Sequence, residues 1–318
     1  MPTYVLRRLL GAIPLLLVIS LICYSMMALA PGGPTAMLSQ NPSIRPQDIE
    51  QIRKNFGLDR PVHVRYVKWL GRIVLHGDLA TSYKTGRPVA EMIGERIPAT
   101  LELMTVAFSI SLCAAFVLGI LSAVFRYTFF DFLVTLGSYV GISLPSFWFG
   151  LLAMLVFAQK LQWLPSAGRY SLGGEPTWSD MAAHLVLPAM VLGLLEIASW
   201  SRYLRSSLLE VLHLDYMRTA RAKGLTALRV VLHHGVRNAL IPFVTVVTLQ
   251  IPSLFTGAII TETIFAWPGI GRLYLEAISF RDYTVLMGIL MISSTLIVLS
   301  NLLADILYAV LDPRISYR

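Results

Sequence analysis

The amino-acid sequence predicts an all-α integral membrane protein with six transmembrane helices and both termini on the cytoplasmic side. Of its 318 residues, 56% are hydrophobic and only 14% are charged, and the mean hydropathy is +0.67. A soluble domain carries about 25% charged residues, so lipid must solvate much of this chain. Six apolar stretches approach the roughly 20 residues that a spanning helix needs. They are residues 9–30, 101–125, 132–159, 184–204, 239–262 and 284–310.

The first apolar stretch follows Arg7 and Arg8 and is predicted to stay in the protein as a membrane anchor. The apolar core of a cleavable signal peptide has about 7–15 residues, and this stretch is longer. The Ala-Leu-Ala sequence at 28–30 is similar to a cleavage site, so removal of the segment stays open as the alternative. We expect residues 1–30 to form an N-terminal transmembrane helix.

Residues 31–97 separate the first two spans, and we expect them to form a helical insert on the extracytoplasmic side. The sequence RPQDIEQIRKNFG predicts one amphipathic helix that ends at Gly57, and RPVHVRYVKWLGRIVLHG predicts a second. The apolar positions of the second helix fall on one face. These positions are Val62, Tyr66, Trp69 and Ile73. Residues 98–318 are predicted to form a core of five helices with a cytoplasmic loop at 205–238.

The third and fourth spans contain the residues that disturb a regular apolar helix most. In the third span, Gly137 and Gly141 form a GxxxG pair that permits close helix packing, and Pro145 is expected to bend the helix. In the fourth span, Glu196 interrupts the apolar run. We expect Glu196 to lie near the cytoplasmic end and to pair with Arg202 or its neighbours. The alternative is a proton relay, which would need a chain of ionisable groups.

Positive charge is concentrated in the segments that six spans place on one face of the membrane. Loop 202–237 contains only two acidic residues, Glu210 and Asp215. Its basic residues are Arg202, Arg205, Arg218, Arg221, Lys223, Arg229 and Arg237. The N-terminal arginines, Arg126, Arg314 and Arg318 fall on the same face. Short loops rich in Lys and Arg stay in the cytoplasm, so this face is predicted to be cytoplasmic.

The sequence lacks the motifs that several kinds of chemistry need. It contains no Gly-Lys dipeptide, so a phosphate-binding P-loop is excluded, and it contains no HExxH zinc motif. GISLP at 141–145 begins like a nucleophile elbow but has Pro145 where the second glycine belongs. Cys23 and Cys113 lie far apart in apolar runs, and no basic patch with interleaved aromatic residues indicates nucleic-acid binding. We expect no catalytic residue, no metal site and no nucleic-acid partner.

The polar stretch DYMRTARAKGL, residues 215–225, lies within a segment of about thirty residues, 205–238, which is too long for a simple turn between spans. Asp215 can cap the start of a helix and Gly224 can end it in the left-handed conformation. Ala220 and Gly224 would then form a bare face that another surface can approach. A lipid-surface helix would carry Trp, Phe and Leu on that face. The sequence therefore favours docking to a cytoplasmic partner over a lipid anchor.

This stretch, with VVLHHGVRNALIP at 230–242, resembles the EAA-type loop of type I ABC importer permeases. It is most similar to the B subunit of dipeptide and oligopeptide permeases. Other segments resemble the same family: YVLRRLLGAIPLLLVIS, PGGPT, GDLATSYKTGRPVAEMIGERIPATLEL, FAWPGIGRL and LDPRISYR. One departure is that Arg218 stands where the older EAA consensus has an acidic residue, and the proline falls later, at Pro242.

The resemblance implies the type I importer (MetI-like) fold in the bacterial inner membrane. It implies a heterodimer with a second, homologous permease, two ATPase subunits that bind ATP and Mg²⁺, and an extracytoplasmic solute-binding protein. No cofactor would bind to this chain itself, and membrane lipid would surround it. The segment that fits the ATPase groove would be Asp215, Tyr216, Arg218, Thr219, Ala220, Arg221, Ala222, Lys223 and Gly224.

The residues that line the translocation path are less specified by the sequence. Gln250, Ser253 and Gly257 share one stripe of the fifth span at i, i+3 and i+7, which suits either the path or interhelical packing. Ser143 and Ser146 beside Pro145 are further candidates. Peptides are the expected cargo, and glutathione, nickel chelates or oligosaccharides are alternatives within the same architecture. An ion-coupled secondary transporter, with Glu196 as the ionisable group, is the alternative in mechanism.

Overall fold

Helices account for nearly all of the regular structure. The computed structural model describes residues 2–29, 47, 50–51, 54, 57, 59–173, 175–255 and 258–311. In chain order the helices are α1 (Pro2–Leu29), α2 (Val62–His76), α3 (Val89–Val124), α4 (Phe129–Ser143), α5 (Ser146–Ala153, continued as a π-helix at Met154–Lys160), α6 (Trp178–Leu212), α7 (Asp215–Ala222), α8 (Ala227–Thr248), α9 (Ile259–Ile264), α10 (Ile270–Ser279) and α11 (Tyr283–Leu311). Within α8, a π-helix occupies Val230–Val236, and a short 3₁₀ helix, Ile251–Phe255, follows it.

Five of these helices are long and apolar enough to cross a membrane on their own. They are Leu6–Leu29, Val89–Val124, Trp178–Leu212, Ala227–Thr248 and Tyr283–Asp305. The pair α4 and α5 qualifies only when taken together, because the chain bends by 107° between them. The described residues therefore contain six candidate spans, which is the predicted number, when the bent pair is counted as one span.

The bend between α4 and α5 follows from Pro145, as the sequence predicted. Leu144 and Pro145 are both extended, with ψ of 128°. Proline has no amide hydrogen and disfavours a helical residue before it, so α4 ends at Ser143. Only half of the expected GxxxG contact exists. A Cβ on Gly141 would lie 3.4 Å from Leu194 of α6, whereas a Cβ on Gly137 would meet nothing within 4 Å.

The predicted fifth span, residues 239–262, is wrong in its boundaries. Helix α8 begins earlier, at Ala227, and ends at Thr248. The chain then continues through the 3₁₀ helix and the separate helix α9. Pro252 explains the end of α8, because its nitrogen cannot donate the hydrogen bond that would continue the helix onto Thr248. The residues beyond the break are still apolar, so hydropathy alone does not detect it.

The described residues divide into two compact units. One contains residues 1–98 and 269–299, and the other contains residues 99–268 and 300–318, in each case as far as they are described. The predicted segments 1–30, 31–97 and 98–318 follow the chain rather than this grouping. Their assignment as domains stays a prediction.

In the first unit, the predicted amphipathic helix α2 packs on the first span. The rings of Tyr66 and Trp69 lie 5.5 and 5.6 Å from the ring of Tyr24, and the Tyr66 hydroxyl is 2.9 Å from Ser20 Oγ. Gly77, with φ of 64°, ends α2 in the left-handed conformation. The other predicted insert helix, 45–57, falls mostly outside the described residues.

In the second unit, α3, α6 and α8 pack around a common apolar core. Its buried members include Ala115, Trp200, Leu204, Ala239 and Phe243. Small residues let α3 and α6 come close, since a Cβ on Gly119 would lie 2.9 Å from the carbonyl oxygen of Ser201. This packing holds the C-terminal end of α6, which leads into α7.

Candidate functional site

Helix α7, Asp215–Ala222, covers most of the polar stretch 215–225 that the sequence singled out. Its start differs from the prediction, because Leu214 and not Asp215 occupies the N-cap position and no side chain caps the helix. Asp215 is the first helical residue. Its carboxylate lies 3.7 Å from Arg218 Nη1, and both side chains are largely exposed. A carboxylate in the first turn still favours the helix through the helix dipole.

The end of α7 is formed by Gly224, as predicted. Gly224 has φ of +79°, and its amide donates to the Arg221 carbonyl at 3.0 Å. The amide of Lys223 donates to the Thr219 carbonyl at 3.1 Å. A Cβ on Gly224 would meet nothing within 4 Å, so the cost of a side chain there is conformational and not steric within this chain.

Ala220 does not belong to the exposed face of α7, and this part of the prediction is wrong. Ala220 is 7% exposed and lies in a small core with Met217 and Val230. Half-buried Leu212 and Leu225 pack against the same cluster. Met217 and Ala220 are three positions apart, so they share one helix face. Burial of that face places Ala220 against the protein and away from any partner.

The exposed face of α7 lies opposite this small core. Its members follow the helical spacing i, i+3, i+4 and i+7. They are Asp215, Arg218, Thr219 and Ala222. Tyr216, Arg221, Lys223 and Gly224 are exposed beside this face. The Thr219 hydroxyl donates to the Asp215 carbonyl at 3.1 Å, so the Thr219 methyl group faces solvent. The face therefore carries small side chains and Arg218, with two more cations, Arg221 and Lys223, exposed beside it.

Two residues that were not predicted from the sequence hold α7 in place. Met217 is fully buried, and Gly235 lies in the π-helical part of α8 beneath it. A Cβ on Gly235 would lie 3.5 Å from Met217 Cε and 3.2 Å from Leu208 Cδ1. The absence of a side chain at Gly235 lets α6, α7 and α8 meet. The i, i+3 spacing of Met217 and Ala220 was the available signal for the inward face.

The candidate path residues of the fifth span do not form a helical stripe. Gln250 lies in the turn after α8, and Ser253 lies in the 3₁₀ helix, where its hydroxyl donates to the Gln250 carbonyl at 2.6 Å. Gly257 lies outside the described residues. Gln250 and Ser253 therefore do not lie on a continuous α-helix, because α8 has already ended at Thr248. The role of the three residues in the path stays a prediction.

The other path candidates flank the bend between α4 and α5. Ser143 is the last residue of α4, and Ser146 is the first of α5. Both side chains are exposed, and the Ser143 hydroxyl donates to the Tyr139 carbonyl at 2.8 Å. The bend thus presents two hydroxyl groups at the break in a span. Whether they line the path stays a prediction.

The carboxylates within the spans differ in their partners. Glu196 is half-buried in the middle of α6 and makes no ion pair or hydrogen bond with another described side chain. The predicted pairing with Arg202 is wrong, since the Arg202 guanidinium lies 5.0 Å from the centre of the Tyr139 ring. Glu102 pairs with Arg169, and buried Glu262 accepts a hydrogen bond from Thr100 at 3.0 Å. The described His, Cys, Asp and Glu residues form no cluster that could hold a metal ion.

Comparison with known proteins matches the whole length of the chain. The family described as "Binding-protein-dependent transport system inner membrane component" matches residues 115–317, and its N-terminal counterpart matches residues 1–104. The oligopeptide transport system permease protein AppB of Bacillus subtilis is 44% identical over 318 residues, which is 100% of both chains. The dipeptide permease DppB of Escherichia coli K12 is 38% identical, with 99% of each chain covered. The glutathione permease GsiC of Salmonella paratyphi A is 39% identical over 100% of both.

Two solved structures share the fold. The MetNI methionine ABC transporter matches with a TM-score of 0.54 and 17% identity over 70% of this chain and 97% of that chain. An amino acid ABC transporter matches with a TM-score of 0.51 and 13% identity over 69% and 94%. At these identities the likeness concerns the fold alone.

Proposed function

The chain belongs to the family of inner-membrane components of binding-protein-dependent transport systems, and from this premise we propose which cargo it carries and which surface couples it to ATP hydrolysis. It is a multi-pass permease subunit of an ABC importer in the bacterial inner membrane, with the MetI-like fold. A system of this kind includes a solute-binding protein, an ATPase and a second permease.

We propose that the cargo is a peptide. The support is that relatives aligned along the full length, at 44% and 38% identity, are permeases for oligopeptides and dipeptides. Glutathione, itself a small peptide, is the second candidate, since the glutathione permease is 39% identical. Nickel chelates and oligosaccharides stay as alternatives from the sequence. Uptake of radiolabelled di- and tripeptides by cells with and without this gene tests the assignment. Uptake of glutathione alone would favour the second candidate, and uptake of a nickel chelate or an oligosaccharide but of no peptide would overturn the proposal.

The exposed face of α7 is proposed as the surface that docks an ATPase. The observation that carries this proposal is that Met217 and Ala220 pack α7 on the core, while the opposite face is exposed, has small side chains and is flanked by cations. An amphipathic helix fixed on one side and open on the other fits a groove on a partner. ATP and Mg²⁺ would bind to two ATPase subunits, and a second, homologous permease would complete a heterodimer.

The orientation of the chain is proposed from its basic loops: both termini and α7 in the cytoplasm, and α2 outside. A variant with Cys23 and Cys113 replaced by serine provides the background for labelling. Leu75→Cys on α2 and Lys223→Cys at the end of α7 give exposed single sites. A membrane-impermeant maleimide added to intact cells should label position 75 and not position 223. The opposite pattern would reverse the topology and exclude docking at α7.

A further inference from the structure

The carboxylate of Asp131 joins three elements at one point of the second unit. Its side chain is 6% exposed in the first turn of α4. Arg205 of α6 donates to both of its oxygens, Nε to Oδ1 and Nη2 to Oδ2, each at 2.7 Å. The Ser122 hydroxyl of α3 donates to Oδ1, and the amide of Tyr127, in the turn before α4, donates to Oδ2 at 2.9 Å. A carboxylate that accepts from four donors on three separate elements is fixed in position.

These donors connect α4 to the base of α7. Arg205 lies in the last part of α6, the helix that leads directly to α7. The turn that carries Tyr127 also carries Arg126, whose Nη1 is 3.2 Å from Nε2 of His213, just before α7. Since a guanidinium only donates, His213 Nε2 accepts here, and its Nδ1 donates to the Leu209 carbonyl at 2.7 Å. Both contacts join α4 and its preceding turn to the segment that carries α7.

The other end of α4 is the 107° bend with Ser143 and Ser146. The helix between Asp131 and the bend is regular, so a displacement of its first turn moves its last turn as well. In contrast, the bend isolates α5 from α4, because no helical hydrogen bond crosses Pro145. A shift of α6 at Arg205 would therefore reach the bend through Asp131.

We propose that Asp131 and Arg205 are positioning residues that transmit the displacement of α7 to α4 and to the bend at its end. The proposal rests on the proposed docking of an ATPase at α7. The bidentate geometry matters, since only a planar guanidinium can hold both carboxylate oxygens and so transmit rotation as well as translation. Helices α4 and α6 also pack at Gly141 and Leu194, but that contact is apolar and can slide, whereas the two-point ion pair fixes the register of the first turn of α4 on α6.

The test uses the complete importer: this chain, the second permease, the ATPases and the binding protein, reconstituted in proteoliposomes. Asp131→Asn and Arg205→Lys are compared with wild type for ATPase retention, ATP hydrolysis and peptide uptake. Arg205→Lys keeps the charge but loses the two-point contact, so it serves as the variant that preserves folding. Arg87→Gln, which removes the exposed ion pair with Glu95, is the matched control.

We expect both variants to retain the ATPases and to hydrolyse ATP, while the amount of peptide taken up per ATP falls roughly tenfold, in the range of ordinary coupling energies. Arg87→Gln should keep the wild-type ratio. An unchanged ratio in Arg205→Lys would overturn the proposal. Parallel loss of ATPase retention and uptake in both variants would also overturn it, since the pair would then only stabilise the fold. Failure of the proposed function would instead show in the wild-type complex, as absence of ATP-dependent peptide uptake.

Discussion

At the level of single residues, Gly224 and Ala220 are one helical turn apart in sequence, but they have different environments. Gly224 is exposed with φ of +79° and open space around its Cα. Ala220 is buried between Met217 and Val230. The sequence placed both on one docking face. Their substitutions should therefore fail in different ways, which provides a direct check of the geometry of α7.

Gly224→Leu is expected to leave the fold of the chain intact and to weaken retention of the ATPases. The left-handed conformation costs a residue with a side chain about 1 kcal/mol, and the leucine would project from the exposed end of α7 into the docked surface. Co-purification of the ATPases with the tagged permease measures the effect. Thr226→Leu, an exposed position just beyond α7, is the control and should retain them. Wild-type retention in Gly224→Leu would exclude this end of α7 from the interface.

Ala220→Leu is expected to destabilise the chain itself. Additional methylenes in a packed core cost about 1–3 kcal/mol, and here they would meet Met217 and Val230. The purified variant should therefore unfold at a lower temperature than both wild type and Ala222→Leu, which changes a neighbouring exposed alanine. Equal thermal stability of the two alanine variants would mean that α7 is rotated relative to this structure.

Glu196 is the other residue whose environment decides between functions. It is half-buried in α6 and has no charged partner among the described side chains. A proton relay needs a series of ionisable groups within reach of one another. No described side chain forms a hydrogen bond with Glu196 that could continue such a series. We expect Glu196→Gln to retain at least half of wild-type uptake, roughly, since it removes no partnered interaction. If wild-type uptake depended on a proton gradient and Glu196→Gln abolished that uptake, ion coupling would be favoured instead.

At the level of elements, the sequence predicted those helices whose ends are marked by particular residues. Pro145 predicted the bend of the third span, and Gly224 predicted the end of α7. Sequence hydropathy did not predict the end of α8, because the residues around Pro252 are as apolar as the helix before them. The inward face of α7 also needed tertiary information, since Val230 completes that face from a different helix.

The close approach of α3 and α6 can be tested with two glycines in spans. A Cβ on Gly119 would lie 2.9 Å from the Ser201 carbonyl oxygen and 3.0 Å from Leu204 Cβ, whereas a Cβ on Gly137 would meet nothing within 4 Å. Gly119→Ala should therefore lower the thermal stability of the purified chain, by about 1–3 kcal/mol of overpacking. Gly137→Ala should be neutral or slightly stabilising, since alanine favours a helix over glycine. Equal effects of the two substitutions would contradict the packing of α3 on α6.

At the level of the whole molecule, the most exposed aromatic side chains of the second unit lie near the ends of its spans. Tyr127 and Phe129 are 88% and 73% exposed at the start of α4. Trp163 and Trp178 are 70% and 83% exposed, after α5 and at the start of α6. Aromatic residues favour the membrane–water interface at both ends of a span. These four residues therefore indicate the levels at which the second unit meets the lipid headgroups.

The proposal that ATPase subunits supply the energy for transport can be tested with the purified chain. The sequence contains no P-loop, and the exposed cations of α7 are spaced along a helix surface rather than arranged in a phosphate-binding loop. We expect the purified chain to bind no fluorescent ATP analogue. Proteoliposomes with both permeases but without ATPases should show no peptide uptake, with or without a proton gradient. Addition of the ATPases and a peptide-loaded binding protein should then produce uptake that requires ATP. Uptake by the permeases alone, driven by a proton gradient, would contradict the assignment of the energy source to the ATPases, even if α7 proved to bind them.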